Sequence, residues 1–187
     1  MPIGNLTEEE KKYLLELAKR TVYEKIVNRV EYAPSENDVP LELKKQGAAF
    51  VTLKKHSDLR GCIGHIIARE PLYKCVCEMS IASATQDPRF PPVNSNELKH
   101  LSYEVTILGP LEEIKDPMDF EIGRYGLYIK KGPYSGVLLP QVPVEYGWDK
   151  LEFLEHLCYK AGLGKNDWKE KGTIIYRFKG EVIEEND

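Results

Sequence analysis

The chain has 187 residues, of which 42% are hydrophobic and 30% are charged, and its formal net charge is −4. This composition excludes a disordered chain and is typical of one domain with a substantial core. The acidic balance argues against a general nucleic-acid binder, because neutralising phosphates requires a basic surface. We see no signal-peptide pattern and no apolar run of transmembrane length. We therefore expect a cytoplasmic protein that is not embedded in a membrane and keeps its four cysteines reduced.

The first half of the chain predicts two helices on either side of a β-hairpin. Thr7 followed by Glu10 is a capping box, and apolar residues then recur at helical spacing. Pro71 stands where a second helix would begin, a position that proline favours. The predicted elements, in chain order, are a helix over 8–28, strands over 48–54 and 59–67, and a helix over 71–85.

The second half of the chain predicts more strands and one helix. Asp149 with Glu152 forms another capping box, and Gly162 marks the end of the helix that follows. The predicted strands are a half-buried strand over 101–108, a pair over 126–130 and 137–139, and a closing hairpin over 173–178 and 181–183. Strands and helices do not alternate strictly, which favours an α+β fold with an antiparallel or mixed sheet packed with helices.

The densest group of candidate functional residues lies in the segment Leu59–His65. Arg60 and Cys62 share one face of an extended chain, so the guanidinium would lower the pKa of the thiol and provide an anion site. Glycines inside a strand mark a bulge or a close approach. Cys62 is therefore the candidate nucleophile, and the alternative is that it is a small buried hydrophobic residue, as free cysteines more often are. The candidate ligand-binding residues here are Arg60, Gly61, Gly64 and His65.

A second candidate group is Asp87-Pro88-Arg89-Phe90. The proline ring fixes how Asp87 and Arg89 are presented, and Arg89 could grip a carboxylate or a phosphate. The alternative is a structural ion pair at the end of a helix. Asp87, Arg89 and Phe90 all join the candidate ligand-binding residues.

A third candidate is Gln141, an amide held between two prolines that can both donate and accept hydrogen bonds. The four histidines lack the spacing of known zinc motifs, and neither a phosphate-binding glycine loop nor a nucleophile-elbow motif occurs. We therefore expect neither a metal ion nor a cofactor.

Together these segments resemble the AMMECR domain family. Leu59–Gly64 is similar to the family's hallmark hexapeptide, Asp87–Phe90 to a second motif, and Leu138–Val142 to a third, over about residues 6–184. The resemblance implies one AMMECR-like domain over 1–187 with two α+β lobes, the smaller at about 110–165, and the hallmark strand near the cleft between them. It also implies Memo-like and radical-SAM proteins as partners, as in the AmmeMemoRadiSam system.

Three functions stay open at this level. The first is a cleft that binds a small anionic or peptide-like ligand through Arg60 and Arg89, with thiol chemistry at Cys62 in an enzyme or enzyme subunit. The second is a non-catalytic protein-interaction module that uses the same surface. The third, a nucleic-acid-associated factor, is disfavoured by the acidic charge. Catalysis would need a general base near Cys62, and no histidine is tied to that residue by sequence.

Overall fold

A computed structural model describes residues 5–185 of the chain, which form two compact units. Within the described residues, the first unit comprises 5–108 and 181–185, and the second comprises Gly109–Gly180. The fold is α+β, as predicted, and its strands pair in antiparallel fashion.

The first unit contains two long helices and an antiparallel sheet. Its elements are α1 (Glu8–Tyr23), a π-helical turn (Glu24–Asn28), β1 (Gln46–Lys55), β2 (Asp58–Gly64), β3 (Glu70–Pro71), α2 (Leu72–Thr85) and β4 (Leu101–Leu108). Short 3₁₀ turns lie at Glu36–Asp38, Leu41–Lys44 and Leu98–His100. The central strand β1 pairs with β2, β3 and β4.

The capping box at the start of α1 is present, since the Thr7 hydroxyl accepts from the Glu10 amide and the Glu10 carboxylate accepts from the Thr7 amide. The helical run ends at Arg29, whose φ of 57° is left-handed. The predicted helix over 8–28 is therefore confirmed, with its last turn π-helical. The buried faces of α1 and α2 pack on β1 and β4 to form the core of this unit.

The β1–β2 hairpin turns at His56 and Ser57, which have φ values of 52° and 70°. Two positive φ values in a row match the turn that suits the twist of a hairpin. The second strand ends at Gly64, earlier than the predicted residue 67. The pairing shifts between Leu53, opposite Gly61, and Lys54, opposite Leu59, so Arg60 is the extra residue of a β-bulge.

The expectation of a half-buried β4 is wrong. Its predicted solvent face carries Glu104 and Thr106, yet these residues are only 5% and 0% exposed. Their polar groups are satisfied inside the protein, since Lys54 donates to Glu104 at 2.8 Å and the Thr106 hydroxyl lies 3.5 Å from the same carboxylate. Alternation therefore correctly identified a strand, but it could not show that both faces are covered.

The second unit contains four strands and two helices. These are β5 (Glu112–Ile114), β6 (Tyr125–Lys131), β7 (Tyr134–Leu138), α3 (Val142–Tyr146), α4 (Lys150–Lys160) and β8 (Thr173–Glu184). The strand order is β5-β8-β6-β7, and α4 buries Phe153, Leu154, Leu157 and Cys158 in the core of this unit. Residues 181–184 of β8 belong to the first unit.

The predicted closing hairpin over 173–178 and 181–183 is wrong. Residues 173–184 form one continuous strand, and Lys179, expected in a turn, pairs with Tyr125. The Lys179 carbonyl also accepts from the Gly109 amide at 2.7 Å, so neighbouring chain holds this position extended. A Lys-Gly pair permits a turn but does not require one. Among residues 5–185, no helix has both the length and the apolar character needed to span a membrane.

Candidate functional site

The strand β2 lies unusually close to the helix α2, and Gly61 makes this possible. A Cβ atom at Gly61 would lie 2.1 Å from the carbonyl oxygen of Ser83. The Ser83 hydroxyl donates to the Val51 carbonyl at 2.7 Å and accepts from the Ile63 amide at 2.8 Å. One serine therefore fastens both strands of the hairpin to the helix, and only glycine fits opposite it.

Gly64 is constrained in a different way. A Cβ atom there would lie 2.2 Å from the ring of Phe50, its partner on β1. The neighbour is a half-buried side chain that can rotate, whereas the neighbour of Gly61 is helix backbone. Neither glycine has a positive φ, so both serve close approach.

Arg60 is buried in an ion pair with Glu97. Its Nε and Nη2 atoms donate to the Glu97 carboxylate at 3.0 and 3.1 Å, and Nη2 also donates to the Pro91 carbonyl at 2.9 Å. Arg60 is 9% exposed, and its hydrogen bonds lower the pKa of Glu97 to about 2. The expectation of a free anion-binding guanidinium at Arg60 is therefore not met, because the bulge breaks the alternation on which it rested.

Asp87 connects the loop after α2 to the strand β2. Its carboxylate accepts from the Cys62 amide at 2.9 Å and from Nε and Nη2 of Arg89 at 2.9 and 2.7 Å. These hydrogen bonds, chiefly those from Arg89, hold the pKa of Asp87 well below its usual range. The Asp87 side chain is 2% exposed, whereas that of Arg89 is 44% exposed. Asp87 is thus a structural anchor, and Arg89 is an accessible guanidinium already engaged by one carboxylate.

The thiol of Cys62 is half-buried and accepts a hydrogen bond from the Thr52 hydroxyl at 3.3 Å. Burial raises the pKa of Cys62, and the hydrogen bond from Thr52 and the charge of Arg89 offset this only in part. Arg60 was predicted to activate the thiol, but its guanidinium instead forms an ion pair with Glu97. A thiol that stays protonated at neutral pH is a poor nucleophile.

Of the remaining predicted site residues, Phe90 and His65 lie in the first unit and Gln141 lies in the second. Phe90 lies near both guanidinium groups, with its ring centroid 5.8 Å from Cζ of Arg60 and 5.5 Å from Cζ of Arg89. His65 directly follows β2, and its amide donates to the Ala49 carbonyl at 3.1 Å. Gln141 belongs to the second unit, where its carbonyl caps the start of α3.

A groove in the first unit is the feature that sequence reasoning missed. It has a volume of about 710 Å³ and lies between residues 31–36 and one side of α2. Tyr73, Cys77 and Ile81 line it at i, i+4, i+8 spacing, and of these Tyr73 is buried in the core while Cys77 and Ile81 are half-buried. This spacing is the feature of the sequence that could have indicated the groove. Ile63 and His65 extend the groove to the end of β2.

The groove is acidic as well as apolar. Its charged lining consists of three glutamates, Glu31, Glu36 and Glu78, against one lysine, Lys74. Glu36 and Glu78 have side chains that are 75% and 59% exposed. The lining therefore favours a ligand that combines apolar and cationic groups.

These features define an α+β protein in which a bulged, glycine-containing strand is fastened to a helix beside an acidic, apolar groove. The AMMECR1 family model matches residues 15–183, and the chain belongs to this family.

Relatives share this sequence over nearly its whole length. Protein TK0174 of Thermococcus kodakarensis is 43% identical, covering 96% of this chain and 92% of the relative. A protein of Aquifex aeolicus is 46% identical, covering 80% and 82%. The crystal structure of the uncharacterized protein PH0010 from Pyrococcus horikoshii superposes with a TM-score of 0.91 at 41% identity, covering 95% and 92% of the two chains.

The close approach at Gly61 predicts a large difference between two similar substitutions. Gly61→Ala should destabilise the protein by more than about 3 kcal/mol, because the helix backbone must move. Gly64→Ala should cost less, about 1–3 kcal/mol, because the Phe50 side chain can move away by a change of its χ1 angle. Urea unfolding measures both, and Gly164→Ala, with only ordinary contacts at 3.6 Å, is the matched control. Equal losses at Gly61 and Gly64 would show that the contact with Ser83 is not limiting.

The buried pair of Arg60 and Glu97 predicts a pH-dependent contribution to stability. Because the folded pKa of Glu97 is about 2 and thus below its unfolded value, the stability it provides is full above about pH 5 and declines as the pH falls toward 2. Glu97→Gln should therefore cost roughly 3 kcal/mol at pH 7 and clearly less at pH 3.

The matched control is Glu121→Gln, which removes an exposed pair with Arg124 and should change stability by less than about 1 kcal/mol. Unfolding in urea at the two pH values gives the comparison. A loss at Glu97 that is no larger than the control, or that does not shrink at pH 3, would contradict the role of the pair.

Cys62 should react slowly at neutral pH. Since its pKa is raised, the rate of alkylation by iodoacetamide should keep increasing above pH 9, where the rate for a free thiol levels off. Mass mapping at several pH values distinguishes Cys62 from Cys75, whose pKa burial raises to about 11. Rapid modification of Cys62 at pH 7 would instead indicate an activated thiol.

Proposed function

We propose that the chain is a non-catalytic binding module that takes a peptide-like ligand, bearing basic and apolar side chains, in the groove beside α2. The observation that carries this proposal is the groove itself, whose volume of about 710 Å³ falls in the range of ligand sites. Its apolar wall offers area for burial, and its excess of carboxylates favours a positively charged partner. The free cysteines fit a module that works in the reducing cytoplasm.

An anionic ligand is less well supported. Both arginines of the predicted anion site already bind carboxylates, Arg60 with Glu97 and Arg89 with Asp87. An incoming anion would have to displace a carboxylate or share Arg89 with it, and the carboxylates that line the groove would repel it. The same charge disfavours a nucleic-acid ligand.

Thiol catalysis at Cys62 is the second candidate, and one observation favours it. The Thr52 hydroxyl and the exposed guanidinium of Arg89 both act to lower the pKa of the thiol. Burial outweighs them in the resting protein, so this activity would require a ligand that brings further positive charge to the site.

A partner protein is the natural source of a peptide-like ligand. The Memo-like and radical-SAM proteins implied by the family resemblance are the ones in which we expect a basic, apolar segment that fits the groove. Such a segment, bound in an extended or helical form, would occupy the space between residues 31–36 and α2.

Selection from a library of random twelve-residue peptides displayed on phage tests the proposal directly. The immobilised full chain should enrich peptides in which Lys or Arg alternates with apolar residues. Labelled versions of these peptides should bind Glu36→Lys and Ile81→Lys at least about tenfold more weakly than the parent, because each substitution opposes the ligand's charge.

The control variant is Leu151→Lys, which places the same charge on an exposed position of the second unit. It should bind the selected peptides as the parent does. The proposal fails if the library enriches nothing, if the enriched peptides are acidic, or if the groove variants bind as well as the control.

A further inference from the structure

We propose that His65, Glu70 and Glu78 form a binding site for a divalent transition-metal ion. Each residue offers one ligand atom, and the three atoms all lie within 4.8 Å of one another. Nε2 of His65 and Oε2 of Glu78 are 3.5 Å apart. Ligands bound to one zinc ion at about 2.0–2.2 Å lie roughly 3–4 Å from each other, so small side-chain movements would complete the site.

Three different elements supply these ligands, and each has a fixed backbone. His65 follows β2, with its amide bonded to the Ala49 carbonyl at 3.1 Å. Glu70 lies in β3, where it pairs with Gly47 of β1, and Glu78 lies in the middle of α2. Because packed strands and a helix set the three positions, only the side chains need to adjust when an ion binds.

The charge at this place favours a cation. One carboxylate oxygen of Glu70 and one of Glu78 lie within 4.8 Å of each other. Two carboxylates held so close repel when both are ionised, and a bound dication would replace this repulsion with attraction. Lys74 is the nearby positive charge, and it also faces Glu36 at 3.9 Å, so it offsets the pair only in part.

The donor set indicates the class of metal. One imidazole nitrogen with two carboxylate oxygens suits Zn²⁺, Co²⁺, Mn²⁺ or Fe²⁺, whereas Mg²⁺ and Ca²⁺ prefer oxygen ligands alone. Three protein ligands leave a coordination position for water or for a ligand atom. His65 and Glu78 also line the groove, so that open position would be next to the proposed peptide site. The metal site does not depend on that proposal.

The spacing of these residues explains why the sequence predicts no metal. They are separated by four and by seven residues, which matches none of the known zinc motifs. Only the fold, which turns the chain from β2 through β3 into α2, brings them together.

Isothermal titration of the metal-free full chain with ZnCl₂ tests the site. We expect one Zn²⁺ per chain, with affinity reduced at least about tenfold in His65→Gln and in Glu78→Gln. The control is His156→Gln, an exposed histidine of the second unit, which should bind Zn²⁺ as the parent does. Thermal melts without metal should show that all three variants remain folded, since Glu78 and His156 are exposed and His65 is only half-buried.

Titration with Co²⁺ separates this site from binding at the cysteines, because a thiolate ligand adds an intense charge-transfer band. Cobalt bound at His65, Glu70 and Glu78 should lack that band. The proposal is overturned by any of three results. These are no heat of binding with Zn²⁺, binding that is unchanged in both site variants, or a thiolate band that accounts for all the cobalt bound.

Discussion

The contact on which the first unit depends is the one between β2 and α2 at Gly61. Because Gly61 has no side chain, the strand approaches the Ser83 carbonyl, and the Ser83 hydroxyl can then join β1 and β2 to the helix. Asp87, just after the helix, makes the next attachment through the Cys62 amide. These attachments set the distance between the hairpin and α2, and so they also position Ile63 beside the groove.

The two arginines, Arg60 and Arg89, are best understood as part of this framework. Arg60 is enclosed with Glu97, and Arg89 holds the anchor Asp87, so the two arginines stabilise the loop that follows α2. The neighbouring thiol of Cys62 remains protonated because burial outweighs the nearby positive charge. We therefore propose that Leu59–Gly64 builds a surface rather than a reaction centre, and that the adjacent groove binds the ligand.

The helix-capping signals in the sequence were reliable, unlike the Lys-Gly turn signal at residues 179–180. The capping boxes at Thr7 and Asp149 fix the starts of two helices because all their partners lie within one turn. Long-range contacts could not be predicted from the sequence. The ion-pair partner of Arg60 is 37 residues away, and the burial of Glu104 and Thr106 on β4 depends on the tertiary structure. The glycines of the motif were correctly expected to serve close approach or backbone shape, yet only the structure shows that Ser83 is the neighbour of Gly61. The spacing of Tyr73, Cys77 and Ile81 on α2 is visible in the sequence. Only the structure shows that residues 31–36 lie next to them and form a groove.

We propose that the groove, and not the surface around Cys62, receives the ligand. The most direct measurement is a two-dimensional NMR titration of the isotope-labelled chain with a basic, apolar peptide that binds it. If the groove receives the peptide, the largest amide shift changes should map to Ile63, Tyr73 and Ile81. Changes that centre instead on Cys62 and Arg89, with Ile81 unaffected, would contradict this proposal.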